Sequence, residues 1–198
     1  WIWFDTDTKP ESFILFSLPS ISNPKNILLK KYNIIAIGIK IIVLKKLNII
    51  FLDIDGVLNS DKYFSSIEDK EDTYTDPVAK LLLDIDMTKV KLLLKVVCIS
   101  HDKIVISSTW RRMKLYPSIK AALINIGLPI VGETPFLEGQ RGEEIRAYLA
   151  DNQVDNFCII DDEVFKGYQE LADNLIKTNF YQDGLTEEIC HKIIKKIK

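Results

Sequence analysis

Asn48-Ile49-Ile50-Phe51-Leu52-Asp53-Ile54-Asp55-Gly56-Val57-Leu58 is the stretch that decides the fold. An apolar run, Ile49 to Leu52, leads straight into Asp53 and Asp55, with Gly56 next. A short bounded run of this kind suits a strand buried on both faces of a parallel sheet. The C-terminal ends of such strands are where open α/β sheets place their ligands. Two carboxylates delivered there, beside a glycine that lets the chain turn, make a cradle for a hard cation and a phosphate.

Two rival readings of Asp-x-Asp-Gly are weighed first. A calcium loop wants Gly at its sixth position and Glu at its twelfth. Counted from Asp53, those positions hold Leu58 and Phe64, so the calcium reading fails. The other rival is a strand end whose aspartates only cap the following turn. Two later segments weigh against it. Lys103-Ile104-Val105-Ile106 is a second apolar strand, ending in Ser107-Ser108-Thr109-Trp110-Arg111-Arg112. Asn156-Phe157-Cys158-Ile159-Ile160 is a third, ending in Asp161-Asp162-Glu163. Apolar strands that each end in hydroxyl or acidic residues point to one site assembled at one sheet edge. The hydroxyls suit phosphate oxygens, and the second acidic pair suits a magnesium shell.

This order of segments resembles the haloacid dehalogenase (HAD) phosphatases: an acidic pair, then Ser or Thr, then a basic residue, then a second acidic cluster. The basic position falls to Arg141, which opens a helical segment just before the third strand. A cation at a helix start opposes the helix dipole, which argues for a role other than a surface charge. The resemblance narrows to the HAD domain of Swiss-army-knife RNA repair proteins. Phe51 to Ser60, Ile106 to Arg111, Arg141 to Ile145, Ile160-Asp161-Asp162 and Gly184 to Glu188 carry it, across residues 47–198.

The resemblance implies a magnesium-dependent phosphatase working through an aspartyl phosphate. Asp53 is then the nucleophile and Asp55 the general acid and base, with phosphate held by Ser107 or, as the alternative, Ser108. Arg141 stabilises charge, and Mg2+ is held by Asp53, the Asp55 carbonyl and Asp161. Asp162 is a direct ligand or one step removed. Trp110 and Arg111 are expected to meet the substrate, by base stacking and by a backbone phosphate contact. For Trp110 a core role is an equal alternative. RNA or DNA ends are the implied substrate and other repair proteins the implied partners. Small-metabolite phosphatase or phosphotransferase activity, and a non-catalytic phosphate-binding module, are the alternatives.

The 198 residues suit one domain, 47–198, with an N-terminal extension, 1–46, of unknown role. Alternating strands and helices imply a three-layer α/β fold with a parallel, Rossmann-like sheet. Helices are expected at 78–83, 89–97, 117–126, 143–150, 164–173 and 187–197. Asn59 to Asp76 and Ile130 to Gln140 are too short to build a cap with its own core. The site is therefore expected to be open and to favour a large substrate, unless another subunit supplies a lid. A net charge of −2 gives no global basic field for nucleic acid.

The three cysteines, Cys98, Cys158 and Cys190, form no Cys-x-x-Cys pair, which argues against zinc. Cys98 and Cys158 lie in apolar runs and are expected in the core. A reducing cytoplasm is the expected compartment. The Ile-rich stretch 33–47 is interrupted by Lys40, Lys45 and Lys46 and falls short of the roughly 20 residues that cross a bilayer. An added strand or packing segment is expected there, and no membrane contact.

Overall fold

The computed structural model describes residues 47–67, 75–138 and 140–197. The expectations for residues 1–46 lie outside this range. A five-stranded sheet forms the centre, in the order β3-β2-β1-β4-β5. Its strands are β1 (Asn48–Leu52), β2 (Lys103–Ile106), β3 (Ile130–Glu133), β4 (Asn156–Asp161) and β5 (Leu175–Lys177). Every neighbouring pair is parallel. The fold is therefore the α/β, Rossmann-like arrangement that the alternating segments imply.

β1 lies at the middle of the sheet, and its residues from Ile49 to Leu52 have no exposed surface. Side chains alternate across a strand, so the run feeds two cores. Ile50, Leu52, Ile104, Ile106, Cys158 and Ile160 face one layer. That layer comprises α3 (Met87–Ser100), α4 (Tyr116–Ile126) and α6 (Glu187–Ile197). Ile49, Phe51, Val105 and Ile159 face the other. There Ile145, Tyr148 and Leu149 of α5 (Arg141–Asp151) cover them, with Phe51 edge-on to Tyr148 at 5.6 Å. Two covered faces explain why β1 carries no polar residue between Ile49 and Leu52.

The helix ends follow local chemistry. Asp86 caps α3 by accepting from the Thr88 N–H at 2.8 Å. Gly127 ends α4 with φ 115°. Thr186 Oγ1 accepts from the Ile189 N–H at the start of α6. Two short helices, α1 (Asp61–Ile67) and α2 (Pro77–Leu83), occupy the segment between β1 and α3. Among the described residues no helix is long and apolar enough to cross a membrane.

Several expectations need correction. The helix expected over 164–173 is a loop followed by 3-10 turns at Tyr168–Asn174, because Gly167 takes φ 89° and breaks the run. β3 and β5 were not anticipated; each is an edge strand of three or four residues. Cys98 is exposed, while Cys158 and Cys190 are buried. The buried face of α3 is Val90, Leu93, Val96 and Val97, and position 98 falls off it.

Candidate active site

The parallel register carries the strand ends to one edge. Leu52 pairs with Ile106 and with Ile160, so Asp53, Ser107 and Asp161 come next on three adjoining strands. Backbone bonds extend the ladder past the apolar residues: Asp53 N–H donates to the Ile160 carbonyl and Ser107 N–H to the Leu52 carbonyl. The buried polar residues Asp53, Ser107, Ser108, Arg141 and Asp161 therefore cap an apolar sheet.

Arg141 enters from α5. One nitrogen, Nη1, lies 2.8 Å from Asp53 Oδ2 and 2.8 Å from Asp161 Oδ2. Its guanidinium carbon sits 4.2 Å from the Phe165 ring centroid. The helix start approaches closely because residue 142 is glycine: a Cβ there would overlap the backbone of Gly167. With 4% exposure, the cation is buried at a cost that the two facing carboxylates offset, and their charges raise its pKa against the effect of burial.

One guanidinium does not balance the carboxylates. Burial, and then the charge of Asp161, push the Asp53 carboxyl up to about 7 despite Arg141. Burial and the charge of Asp53 push Asp162 up to about 6. Burial also raises Asp161, opposed by Arg141 and by hydrogen bonds from the Glu163 N–H and the Tyr168 hydroxyl. Asp53, Asp161 and Asp162 each offer a carboxylate oxygen, all within 4.8 Å of one another. Hard oxygen donors that repel each other in a buried site fit a divalent cation such as magnesium. Among the described residues, the three that would hold the ion are the three whose carboxyls are held above their ordinary range.

Gly56 sets the turn that brings Asp162 in. It has φ 66°, and a Cβ at this position would overlap the Asp162 carboxylate. Its N–H donates to Asn59 Oδ1 at 2.8 Å, and Asn59 Nδ2 donates to Asp55 Oδ1 at 3.0 Å. Trp110 Nε1 donates to the second Asp55 oxygen, Oδ2, at 2.9 Å. Both Asp55 oxygens are thereby held, from its own turn and from the segment after β2.

The residues expected to meet substrate are placed differently from one another. Trp110 is 3% exposed, and its indole is turned to Asp55. Arg111 has a side chain only 6% exposed. Its Nε donates to the Ser108 carbonyl, Nη1 to the Thr134 and Pro135 carbonyls, and Nη2 to Glu144 at 2.8 Å. Glu144 in turn accepts from the Leu137 N–H, so the ion pair pins the β3–α5 connection to the β2 end. The cause is the 3-10 turn Thr109–Arg112, capped by Ser108, which rotates these side chains inward. Ser107 Oγ, by contrast, is buried with no hydrogen-bond partner among the described residues.

Asn59, Tyr168 and Glu144 had no role in the sequence reading. Asn59 and Glu144 lay within segments that carry the family resemblance, Phe51 to Ser60 and Arg141 to Ile145, whereas Tyr168 lay in neither. A cavity of about 800 Å³ opens on Asp53, Asp55, Arg141 and Asp162. Phe64, Phe180 and Tyr181 line it too, with Lys177 and Thr178.

Two carboxylates joined by one buried guanidinium, with hydroxyls on the adjoining parallel strand end, make an α/β site with the chemistry to take a phosphoryl group beside a hard cation. The family model for the HAD domain in Swiss Army Knife RNA repair proteins matches residues 49–190, and the chain belongs to that family. No curated protein and no solved structure matches it. Family membership implies a phosphohydrolase-type function in an RNA repair context.

Proposed function

We propose that this protein is a magnesium-dependent phosphomonoesterase that removes terminal phosphates from nucleic-acid ends through a phosphoaspartate on Asp53. The observation that carries the reading is the Asp53 carboxylate, bridged to Asp161 by one Arg141 nitrogen at 2.8 Å and lying within the three-aspartate cluster. Asp53 attacks phosphorus as the bond to the ester oxygen breaks, and Asp55 gives its proton to the departing oxygen. Asp55 then takes a proton from the water that attacks the phosphoaspartate. Inorganic phosphate leaves and Asp53 is regenerated.

Asp53, Asp161 and Asp162 would hold magnesium, which offsets repulsion between the carboxylate and the incoming phosphate. Arg141 donates to the phosphoryl oxygens as charge develops. Ser107 supplies a hydroxyl to the phosphate, since its Oγ has no hydrogen-bond partner among the described residues while Ser108 Oγ accepts from the Trp110 N–H. Trp110 and Asn59 position Asp55, and Arg111 holds the loop rather than the substrate. With no global basic charge, delivery of the RNA end falls to partner proteins in the cytoplasm.

A panel of phosphate monoesters assayed with magnesium tests this. Phosphorylated oligonucleotides should be turned over with much higher kcat/KM than sugar phosphates. Equal or better use of sugar phosphates would reassign the enzyme to small metabolites, and no hydrolysis of any phosphate monoester would remove the enzymatic reading.

A further inference from the structure

Three aromatic residues that line the same cavity as Arg141 come from two distant parts of the chain. Phe64 of α1 meets Phe180 with ring centroids 6.2 Å apart, and Phe180 meets Tyr181 edge-on at 5.5 Å. Phe180 and Phe64 are half-buried, whereas Tyr181 is 82% exposed. An exposed tyrosine ring beside a phosphate site is a surface for a flat partner.

The loop that carries it is built, not slack. Tyr181 N–H donates to Asn179 Oδ1, and the N–H groups of Gln182 and Gly184 both donate to the Asn179 carbonyl. The Phe180 carbonyl accepts from the Asp61 N–H, which ties this loop to the start of α1. At its root Thr178 is 4% exposed and lines the cavity, and its Oγ1 has no hydrogen-bond partner among the described residues. A buried hydroxyl of this kind calls for a polar group from outside. Lys177, exposed and lining the same cavity, makes no ion pair among the described residues and offers a cation there. Aromatic faces, a free hydroxyl and a lysine in one cavity match the base, sugar and linking phosphate of a nucleotide. A volume of about 800 Å³ lies within the range of small-molecule sites.

We infer that Phe180 and Tyr181 form a stacking subsite for the base of the nucleotide that carries the phosphate to be removed, with Thr178 and Lys177 on its sugar-phosphate side. This rests on the phosphatase reading given above and adds the determinants of substrate choice. A base stacked on an aromatic side chain contributes enough to change kcat/KM by roughly five- to a hundredfold. Trp110, for which the sequence left base stacking and a core role equally open, is held by Asp55.

The test compares an oligonucleotide bearing a terminal phosphate with the same oligonucleotide lacking the base on that terminal nucleotide. Both 3′- and 5′-phosphorylated versions are used, with a phosphopeptide as a further substrate. The wild-type protein should prefer the base-bearing end by at least fivefold in one of the two polarities. Tyr181→Ala should erase that preference and leave turnover of the abasic end within twofold of wild type, while Tyr181→Phe retains the preference. Because Tyr181 is largely exposed, its truncation leaves the core intact. Equal use of both ends by the wild-type protein overturns the subsite, as does equal loss on both ends in Tyr181→Ala, or preference for the phosphopeptide. Those failures leave phosphatase activity standing. An absence of hydrolysis on every substrate, a simple aryl phosphate included, overturns the phosphatase reading itself and the subsite with it.

Discussion

Replacing Arg111 with alanine separates a structural clamp from a substrate contact. In the folded protein the Arg111 side chain is 6% exposed and Glu144 is 1% exposed, with 2.8 Å between Nη2 and Oε2. Removing the guanidinium strands the Glu144 carboxylate in the interior, and it frees the Ser108, Thr134 and Pro135 carbonyls of a donor. Breaking a buried pair by removing one partner costs about 3–5 kcal/mol. For a domain of this size that corresponds to a drop in melting temperature of roughly 6–20 °C. Glu144→Gln keeps a neutral acceptor and should cost less. In the double variant the losses should be less than additive, with a coupling on the order of 1–3 kcal/mol. Thermal denaturation of the four proteins measures this, and steady-state kinetics complete it. Whatever activity Arg111→Ala retains should be lowered to a similar degree on an oligonucleotide phosphate and on a small aryl phosphate. An unchanged melting temperature with a selective loss on the oligonucleotide would refute the clamp and return Arg111 to the substrate surface.

Other outcomes follow from the same geometry. Metal-free protein should lose stability as pH rises from about 4 through about 7. The Asp162 and Asp53 carboxyls have folded values near 6 and 7, above the ordinary 3.8, so folding favours their protonated forms and that contribution disappears as they ionise. The rise in melting temperature on adding magnesium should therefore be larger at pH 8 than at pH 5; a shift independent of pH would contradict the three-aspartate metal site. Trp110→Phe deletes the Nε1 donor to Asp55, so kcat should fall roughly five- to thirtyfold with little change in KM. A large rise in KM with kcat intact would instead make Trp110 a substrate contact. Gly56→Ala forces a side chain into a left-handed turn and against Asp162, and isothermal titration should find magnesium binding weakened at least tenfold. Wild-type affinity in that variant would show that the turn does not set the position of Asp162.

The legible parts of the sequence were those written locally. β1, β2 and β4 are apolar runs stopped by acids or hydroxyls, so both their nature and the sheet edge where those polar residues gather could be read. Arg141 was found because it falls where the family resemblance expects a basic residue, with mild support from a cation at a helix start; two carboxylates at 2.8 Å compensate that cation. β3 and β5 were missed because an edge strand of three or four residues leaves no periodic signature. Arg111 was expected to face substrate, and Trp110 to face either substrate or the core, because sequence does not reveal a 3-10 turn; one such turn sends both side chains inward. Cys98 looked buried because an apolar run on a helix names no face. The cluster of Phe64, Phe180 and Tyr181 needed the tertiary fold, since its members come from either end of the domain.

The central claim is that Asp53 carries the phosphoryl group, and trapping that group tests it most directly. The enzyme is quenched during turnover, reduced with borohydride to convert an acyl phosphate to the corresponding alcohol, digested and sequenced by mass spectrometry. The account predicts reduction at Asp53 alone, dependent on substrate and magnesium and absent from Asp53→Asn, which should also be inactive. Reduction at another carboxylate, or an Asp53→Asn protein that turns over within tenfold of wild type, would contradict it.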